Sequence, residues 1–572
     1  MLTGKRIKMR VLRFVGRLQQ TFRQNTWFIL GIFIMNYFTM AWSLINADKI
    51  EVMVGYGFTL FLASFCVAAL LQLLRRPLLR RGVKALLLAA CFVPFFIESF
   101  AMYNYKALIG VGIINSLLET NLKEAGEFIS MYVGVQECLL VAAVLAALVL
   151  LVKYRVFSRL PLRRRYQSRL LAGVMVVAAF YAVRMATVYT AFFFDDVLPL
   201  QRVYASTAVA VENMQAYHRL SSQLATDVKL TKNDSRIKNI VFILGESTNR
   251  NHMHLYGYYL PNTPNLDELN AKGELGVFRN VISPHSTTIA VLSKLFTFCD
   301  HESEKPWYEY NNLIDVMNAA GYKTHWLSNQ ESSGIWGNVA QIYADHSTMH
   351  RFTRIRDSHE DAGILDEELF PLVDEAIANR SEDRNFYVVH LMGGHGLYYN
   401  RFPYSFTKFT KDDIKLDVPE GKKEVIAQYD DALYYNDYIV SGIIDKFRDS
   451  ETLVIYVPDH GEAVYDEGGF SGHIEENPSR HMIEIPVIMW ASDKFKEKYP
   501  EKWAEIKSAV NEPYMSDDMI HTVLDLADIQ TPDFDPARSI VNARFNASRP
   551  RIFNDLDYDT QILTGNVPDE DK

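Results

Sequence analysis

Five apolar stretches of about 20 residues each crowd the first third of the chain, and that length is what a helix needs to cross a bilayer. They fall at about 27–45, 54–74, 85–104, 131–152 and 170–190. Buried helices of a soluble protein would look similar, but the loops argue otherwise. The arm at 1–26, "RRPLLRRGVK" (75–84) and "KYRVFSRLPLRRRYQSR" (153–169) together carry 19 Lys and Arg. The loops at 46–53 and 105–130 carry three, Lys49, Lys106 and Lys123. Basic loops stay on the cytoplasmic side, so the N-terminus is expected inside and everything past about 190 outside. A basic arm also suits nucleic acid, but the apolar run behind it favours a membrane. A cleaved signal peptide would be followed by a small-residue site, not by further apolar runs. Arg184, near the outer end of the fifth stretch, is placed to reach the interface or pair with an acid.

With 572 residues there is room for two or three units. The organisation expected is a transmembrane domain at 1–190, an amphipathic connector at 191–235 and an exported domain at 236–572. Cys66, Cys91 and Cys138 fall in the apolar stretches, which leaves Cys299 alone outside. Its stability must therefore come from core burial rather than a disulfide framework. From Lys238 the texture becomes apolar strands alternating with helical patterns. Strands are expected at 239–245, 323–329, 385–393, 452–459 and 485–491, giving a mostly parallel sheet covered by helices.

Polar clusters mark the ends of these strands. "VFILGESTNR" (241–250) ends on Glu246 and Ser247, "VVHLMGGHG" carries His390 and His395, and "PDHGE" carries Asp459, His460 and Glu462. His473 in "FSGHIEENP" and His481 in "PSRHMIEIP" follow. One strand-end histidine is commonly structural; several on successive strand ends, with Asp beside His, point to a metal. Carboxylate and imidazole ligands without thiolate suit zinc or manganese. The nucleophile is then a hydroxyl or water, and "ISPHSTTIAVLSKLF" (282–296) places Ser286, Thr287 and Thr288 at a helix N-terminus. Ordinary capping accounts for hydroxyls there, but the same place binds anions and depresses a nucleophile's pKa.

The motifs "GESTNRNHMHLYGY", "SPHSTTIAVL", "HLMGGHG", "VPDHGE" and "NPSRHMIEIP", after five spans, resemble the phosphoethanolamine transferases of Gram-negative envelopes. The branch that modifies the lipopolysaccharide core is the most similar. The resemblance implies an α-helical membrane domain with five transmembrane helices and an α/β, alkaline phosphatase-like (sulfatase-type) periplasmic domain, held at the inner membrane. It implies transfer of phosphoethanolamine from phosphatidylethanolamine, through a covalent threonine intermediate, to a lipopolysaccharide acceptor. Zinc would be held by Glu246, the threonine, Asp459 and His460. A second ion or the phosphoryl group would meet His395 and His473, with His390 and His481 nearby. Thr288 is the threonine expected, because "Thr-Ile" follows the pattern of that branch; Thr287 is the alternative. In "NSLLETNLKEAGEFI" (115–129), Thr120 and Glu124 match headgroup-contacting positions, and Ser116 stands where the family has asparagine. "SNQESSGIWGN" (328–338) lacks the lysine of lipid A-modifying relatives, which favours a core acceptor.

Three rivals are weighed. A sulfatase needs a Cys/Ser-x-Pro-x-Arg stretch, and none is visible. A phosphoglycerol transferase would share the metal–threonine core but use another donor lipid. A non-catalytic membrane sensor would need a degenerate metal set, and this one is intact.

Overall fold

A computed structural model describes residues 2–46, 49–111, 113–114, 117, 164–188, 198–222, 228–331, 339–354, 364–467 and 469–564. The expected span at 131–152 and the loop residues Ser116, Thr120 and Glu124 lie outside these. The chain divides into two compact units, one of Met1–Ile114 with Ser130–Ala210 and one of Asn115–Ile129 with Val211–Lys572.

In the first unit, three helices are long and apolar enough to cross a membrane: Phe14–Ile45, Ile50–Leu71 and Pro77–Asn104. They belong to α1 (Leu2–Asn46), α2 (Ile50–Leu71) and α3 (Pro77–Asn104). A shorter apolar segment, Leu171–Arg184, lies in α4 (Arg164–Val188). Helix α1 bends at Asn25, whose side-chain amide donates to the Thr21 carbonyl at 2.7 Å. Arg184 pairs with Glu51, the second of the two arrangements that its sequence position leaves open. The sequence reading did not anticipate Glu98 in α3, fully buried at 0% exposure. It takes a two-pronged contact from Arg202 of α5 (Pro199–Ser222), Nε to Oε1 and Nη2 to Oε2 both at 2.7 Å. Thr39 of α1 also donates to it.

In the second unit, the described residues form a seven-stranded sheet. Its strands are β1 (Asn239–Gly245), β2 (Leu275–Phe278), β3 (Lys323–Glu331), β4 (Met349–Arg354), β5 (Asn385–His390), β6 (Thr452–Pro458) and β7 (Val487–Ala491). Their order across the sheet is β2-β7-β6-β1-β5-β3-β4. β7 runs antiparallel to β2 and β6, and the other pairings are parallel. Side chains alternate across a strand, and β1 is buried throughout and apolar from Ile240 to Leu244 because both its faces are covered. Ile240, Phe242 and Leu244 join one buried cluster with Leu292 and Leu295 of α6 (Thr288–Leu295) and with Phe296 just after it. Val241 and Ile243 join the other with Tyr429, Leu433 and Val440 of α7 (Glu420–Lys446). β1 and β6 are in register to their last residues, Gly245 opposite Pro458. Glu246 and Asp459 therefore emerge side by side.

The Glu98–Arg202 pair yields a stability prediction. Arg202→Ala strands a buried carboxylate and is expected to destabilise the first unit by roughly 3–5 kcal/mol. Glu98→Gln/Arg202→Ala, which removes the charge as well, should recover much of that. Unfolding temperatures in detergent compare the two variants.

Candidate metal centre

Where β1 and β6 end, the carboxylates of Glu246 and Asp459 and the imidazole of His460 offer ligand atoms all within 4.8 Å of one another, and all three residues are buried. Each side chain is aimed by a specific contact. His460 donates from Nδ1 to the Gly461 carbonyl at 2.8 Å, which leaves Nε2 as the lone-pair nitrogen. Nε2 lies 3.6 Å from Glu246 Oε1 and 3.4 Å from Asp459 Oδ2. Asp459 Oδ1 accepts the backbone N–H groups of Ser247 (3.1 Å) and His460 (2.7 Å). Glu246 Oε1 accepts the Ser247 hydroxyl at 2.8 Å. Thr288, first residue of α6, donates its hydroxyl toward Glu246 Oε2 at 3.4 Å.

The donor set fits a divalent cation. Asp459 Oδ2 and His460 Nε2 are buried without a hydrogen-bond partner among the described residues, and buried polar atoms are rarely left so. Burial and the neighbouring Asp459 push the Glu246 carboxyl well above its usual range. Burial alone would raise Asp459 too, but His460 and the hydrogen bonds around it hold it low. Two adjacent buried carboxylates cannot both ionise without a counter-charge, and a dication supplies one. Neutral imidazole is the ligand form, and burial pushes His460 down from its ordinary value.

A second group, His460, Glu462 and His473, also has its ligand atoms within 4.8 Å. The rings of His460 and His473 sit 4.1 Å apart, centroid to centroid. Glu462 accepts from His473 Nδ1 at 2.7 Å and from the Tyr398 hydroxyl at 2.6 Å. That carboxylate–imidazole contact fixes the His473 tautomer and turns Nε2 outward. His390 is buried and His395 partly so, and the enclosed His395 Nδ1 and His390 Nε2 are unpartnered among the described residues. Burial drives His395 down to about 3, helped by Arg401, and His390 down to about 4. Ser328 lies 3.2 Å from His390 Nδ1. His481 has other neighbours: its Nδ1 lies 3.3 Å from Asn249 and 3.6 Å from Asp466.

Backbone packing brings the strand ends this close. A Cβ on Gly393, at φ +48°, would lie 2.6 Å from the Glu246 carbonyl oxygen, and one on Gly461 would lie 2.3 Å from that of His481. Only glycine permits either approach. Asp366 accepts the N–H groups of Met392 (2.8 Å) and Gly393 (2.9 Å), holding the loop that carries His395. The roles of Asp366 and Tyr398 escape sequence reading, because no local motif surrounds them.

Comparison with known proteins accords with this geometry. A family model described as Sulfatase matches residues 238–529, and one described as Phosphoethanolamine transferase EptA/EptB matches residues 62–206. The chain belongs to the phosphoethanolamine transferase branch of the sulfatase family. Among relatives, phosphoethanolamine transferase EptC of Escherichia coli is 29% identical over 503 residues, 82% of this chain and 85% of that one. CptA of Salmonella typhimurium, also named a phosphoethanolamine transferase, is 29% identical over 510 residues with the same coverage. The zinc complex of the periplasmic domain of Escherichia coli EptC is 30% identical, covering 59% of this chain and 97% of that one at a TM-score of 0.54. The integral membrane lipooligosaccharide phosphoethanolamine transferase A of Neisseria meningitidis shares the fold, at 20% identity. It covers 89% of this chain and 97% of that one at a TM-score of 0.60.

Two predictions concern charge. Chelation should lower the unfolding temperature of the wild type and leave that of Asp459→Asn nearly unmoved, read by differential scanning fluorimetry. Behind the centre, His252 is buried between Asp430 and Asp466, each at 2.9 Å. Burial alone would lower its pKa, but the two carboxylates raise it to about 10. Its stabilisation is complete below the unfolded value of about 6.5 and fades as pH rises toward about 10. Denaturant unfolding between about pH 7 and 10 should therefore show falling stability, with a flatter slope in His252→Gln.

Proposed function

We propose that the protein transfers phosphoethanolamine from phosphatidylethanolamine to a lipopolysaccharide acceptor, with Thr288 as the nucleophile. The observation that carries this reading is the Thr288 hydroxyl, 3.4 Å from a carboxylate of the Glu246–Asp459–His460 group. The names of the relatives support the transferred group and, for those named as lipid A or lipooligosaccharide transferases, the class of acceptor. Zinc, present in a related periplasmic domain, would be held here by Glu246, Asp459, His460 and the Thr288 oxygen. It would supply a Lewis acid for phosphoryl oxygens and a lowered pKa for the hydroxyl.

The chain's own residues do the rest. Thr288 Oγ1 attacks phosphorus, the bond to the diacylglycerol oxygen breaks, and a phosphoethanolamine–threonine intermediate remains. An acceptor oxygen then attacks the same phosphorus and frees Thr288. His390, His395 and His473 would bind phosphoryl oxygens and move protons, and His395 with His473 would meet any second ion. His481 supports the pocket through Asn249 and Asp466. Thr120 and Glu124, with Ser116 in the asparagine position, would hold the ethanolamine headgroup. Five spans with a cytoplasmic N-terminus would keep the catalytic domain on the periplasmic face of the inner membrane, where lipid donor and acceptor are concentrated.

The test is mass spectrometry of the purified full chain after incubation with phosphatidylethanolamine. The expected result is a phosphoethanolamine adduct on Thr288, with transfer lowered by roughly 10³-fold or more in Thr288→Ala. An adduct on Thr287 would move the nucleophile by one residue. No adduct on either would contradict the mechanism.

A further inference from the structure

The nucleophile loop presents three hydroxyls in a row, Ser286, Thr287 and Thr288, and the structure sends them in different directions. Thr288 Oγ1 faces Glu246. Thr287 Oγ1 faces the carboxylate of Glu475, 3.4 Å from Oε1. The same Oε1 accepts the Ser286 backbone N–H at 2.7 Å, and Oε2 lies 3.1 Å from His285 Nδ1. One carboxylate, buried to 7% exposure, thus grips three consecutive residues immediately before the proposed nucleophile.

Two further observations indicate that this contact steers the loop. Thr287 is the N-cap residue of α6, in the extended backbone conformation that caps adopt, yet its side chain makes no cap hydrogen bond. A threonine there ordinarily turns its oxygen onto the helix N–H groups; here the hydroxyl turns to Glu475 instead. The Ser286 hydroxyl is buried without a partner among the described residues, so this residue is held through its backbone N–H. Glu475 itself lies two residues past His473, so it ties the nucleophile loop to the loop that carries that imidazole.

We propose that Glu475 is a positioning residue that selects Thr288 over its neighbour Thr287 as the nucleophile, by holding the Thr287 hydroxyl and the Ser286 N–H away from the metal centre. The inference rests on the covalent mechanism proposed above. Removing the carboxylate frees the Thr287 hydroxyl to rotate toward the centre. Glutamine, which keeps an acceptor oxygen for both the Ser286 N–H and the Thr287 O–H, maintains the selection. His285 braces the carboxylate from its other oxygen.

The test uses the full chain in phosphatidylethanolamine vesicles and maps the adduct by peptide mass spectrometry in a Thr288→Ala background. With Glu475 intact, no adduct is expected on Thr287. Thr288→Ala/Glu475→Ala is expected to label Thr287 to at least a tenth of the wild-type Thr288 level. Thr288→Ala/Glu475→Gln is expected to stay unlabelled. With Thr288 present, Glu475→Ala should lower kcat at least tenfold with little change in the donor KM. Should the alanine variant not fold, Glu475→Asp, one methylene short of both contacts, is expected to give partial Thr287 labelling. Absence of Thr287 labelling in folded Glu475→Ala or Glu475→Asp proteins, or glutamine behaving as alanine does, overturns the inference. Absence of a wild-type Thr288 adduct instead overturns the mechanism beneath it, so the two failures are distinct.

Discussion

Two carboxylates, Glu246 and Asp459, are forced together at the ends of adjacent parallel strands, in a site almost closed to water. That crowding is unfavourable by itself: burial and mutual repulsion raise Glu246 well above its ordinary pKa. The unpartnered Asp459 Oδ2 and His460 Nε2 are equally unfavourable alone. A dication would resolve all three at once, because it would satisfy the lone pairs and let both acids ionise. The rest of the catalytic unit serves to impose this arrangement. The in-register β1–β6 pairing sets the strand ends level, and α6 delivers Thr288 to the edge of the cluster.

The loops around the centre show how much backbone precision the arrangement takes. Gly393 and Gly461 allow main chains to touch where any side chain would collide. Ser247 sits in the left-handed region at φ +51°, a conformation that a non-glycine residue adopts at a cost of order 1–3 kcal/mol. Its N–H goes to Asp459 and its hydroxyl to Glu246, which offsets that strain. Outside this shell the His252 network is fully paired, so its charges stiffen the scaffold rather than compete for the ion.

Much of this was legible in the chain itself, for definite reasons. Strand β1 was readable to the residue, because a strand buried on both faces is continuously apolar and ends abruptly at Gly-Glu-Ser. Strands β2 and β4 were not: Leu-Gly-Val-Phe is too short to signal, and Met-His-Arg-Phe-Thr-Arg at the sheet edge is mostly polar. The convergence of Glu246, Asp459 and His460 was legible because these residues crowd into short motifs at strand ends. Glu475, Asp366 and Tyr398 were silent, since their partners are remote in sequence: Glu475 lies 189 residues from Ser286. Glu98 was masked by its apolar surroundings in α3, and its partner Arg202 follows on a separate helix. Membrane topology was read from loop charge, and three of the expected spans coincide with helices of sufficient length and apolarity.

The centre is the claim on which the account stands, and X-ray absorption at the zinc K-edge on the purified full chain tests it most directly. The account predicts bound zinc with a shell of nitrogen and oxygen only, lost when Glu246 or Asp459 is replaced. Absence of tightly bound metal, or a sulfur-containing shell involving Cys299, would contradict it.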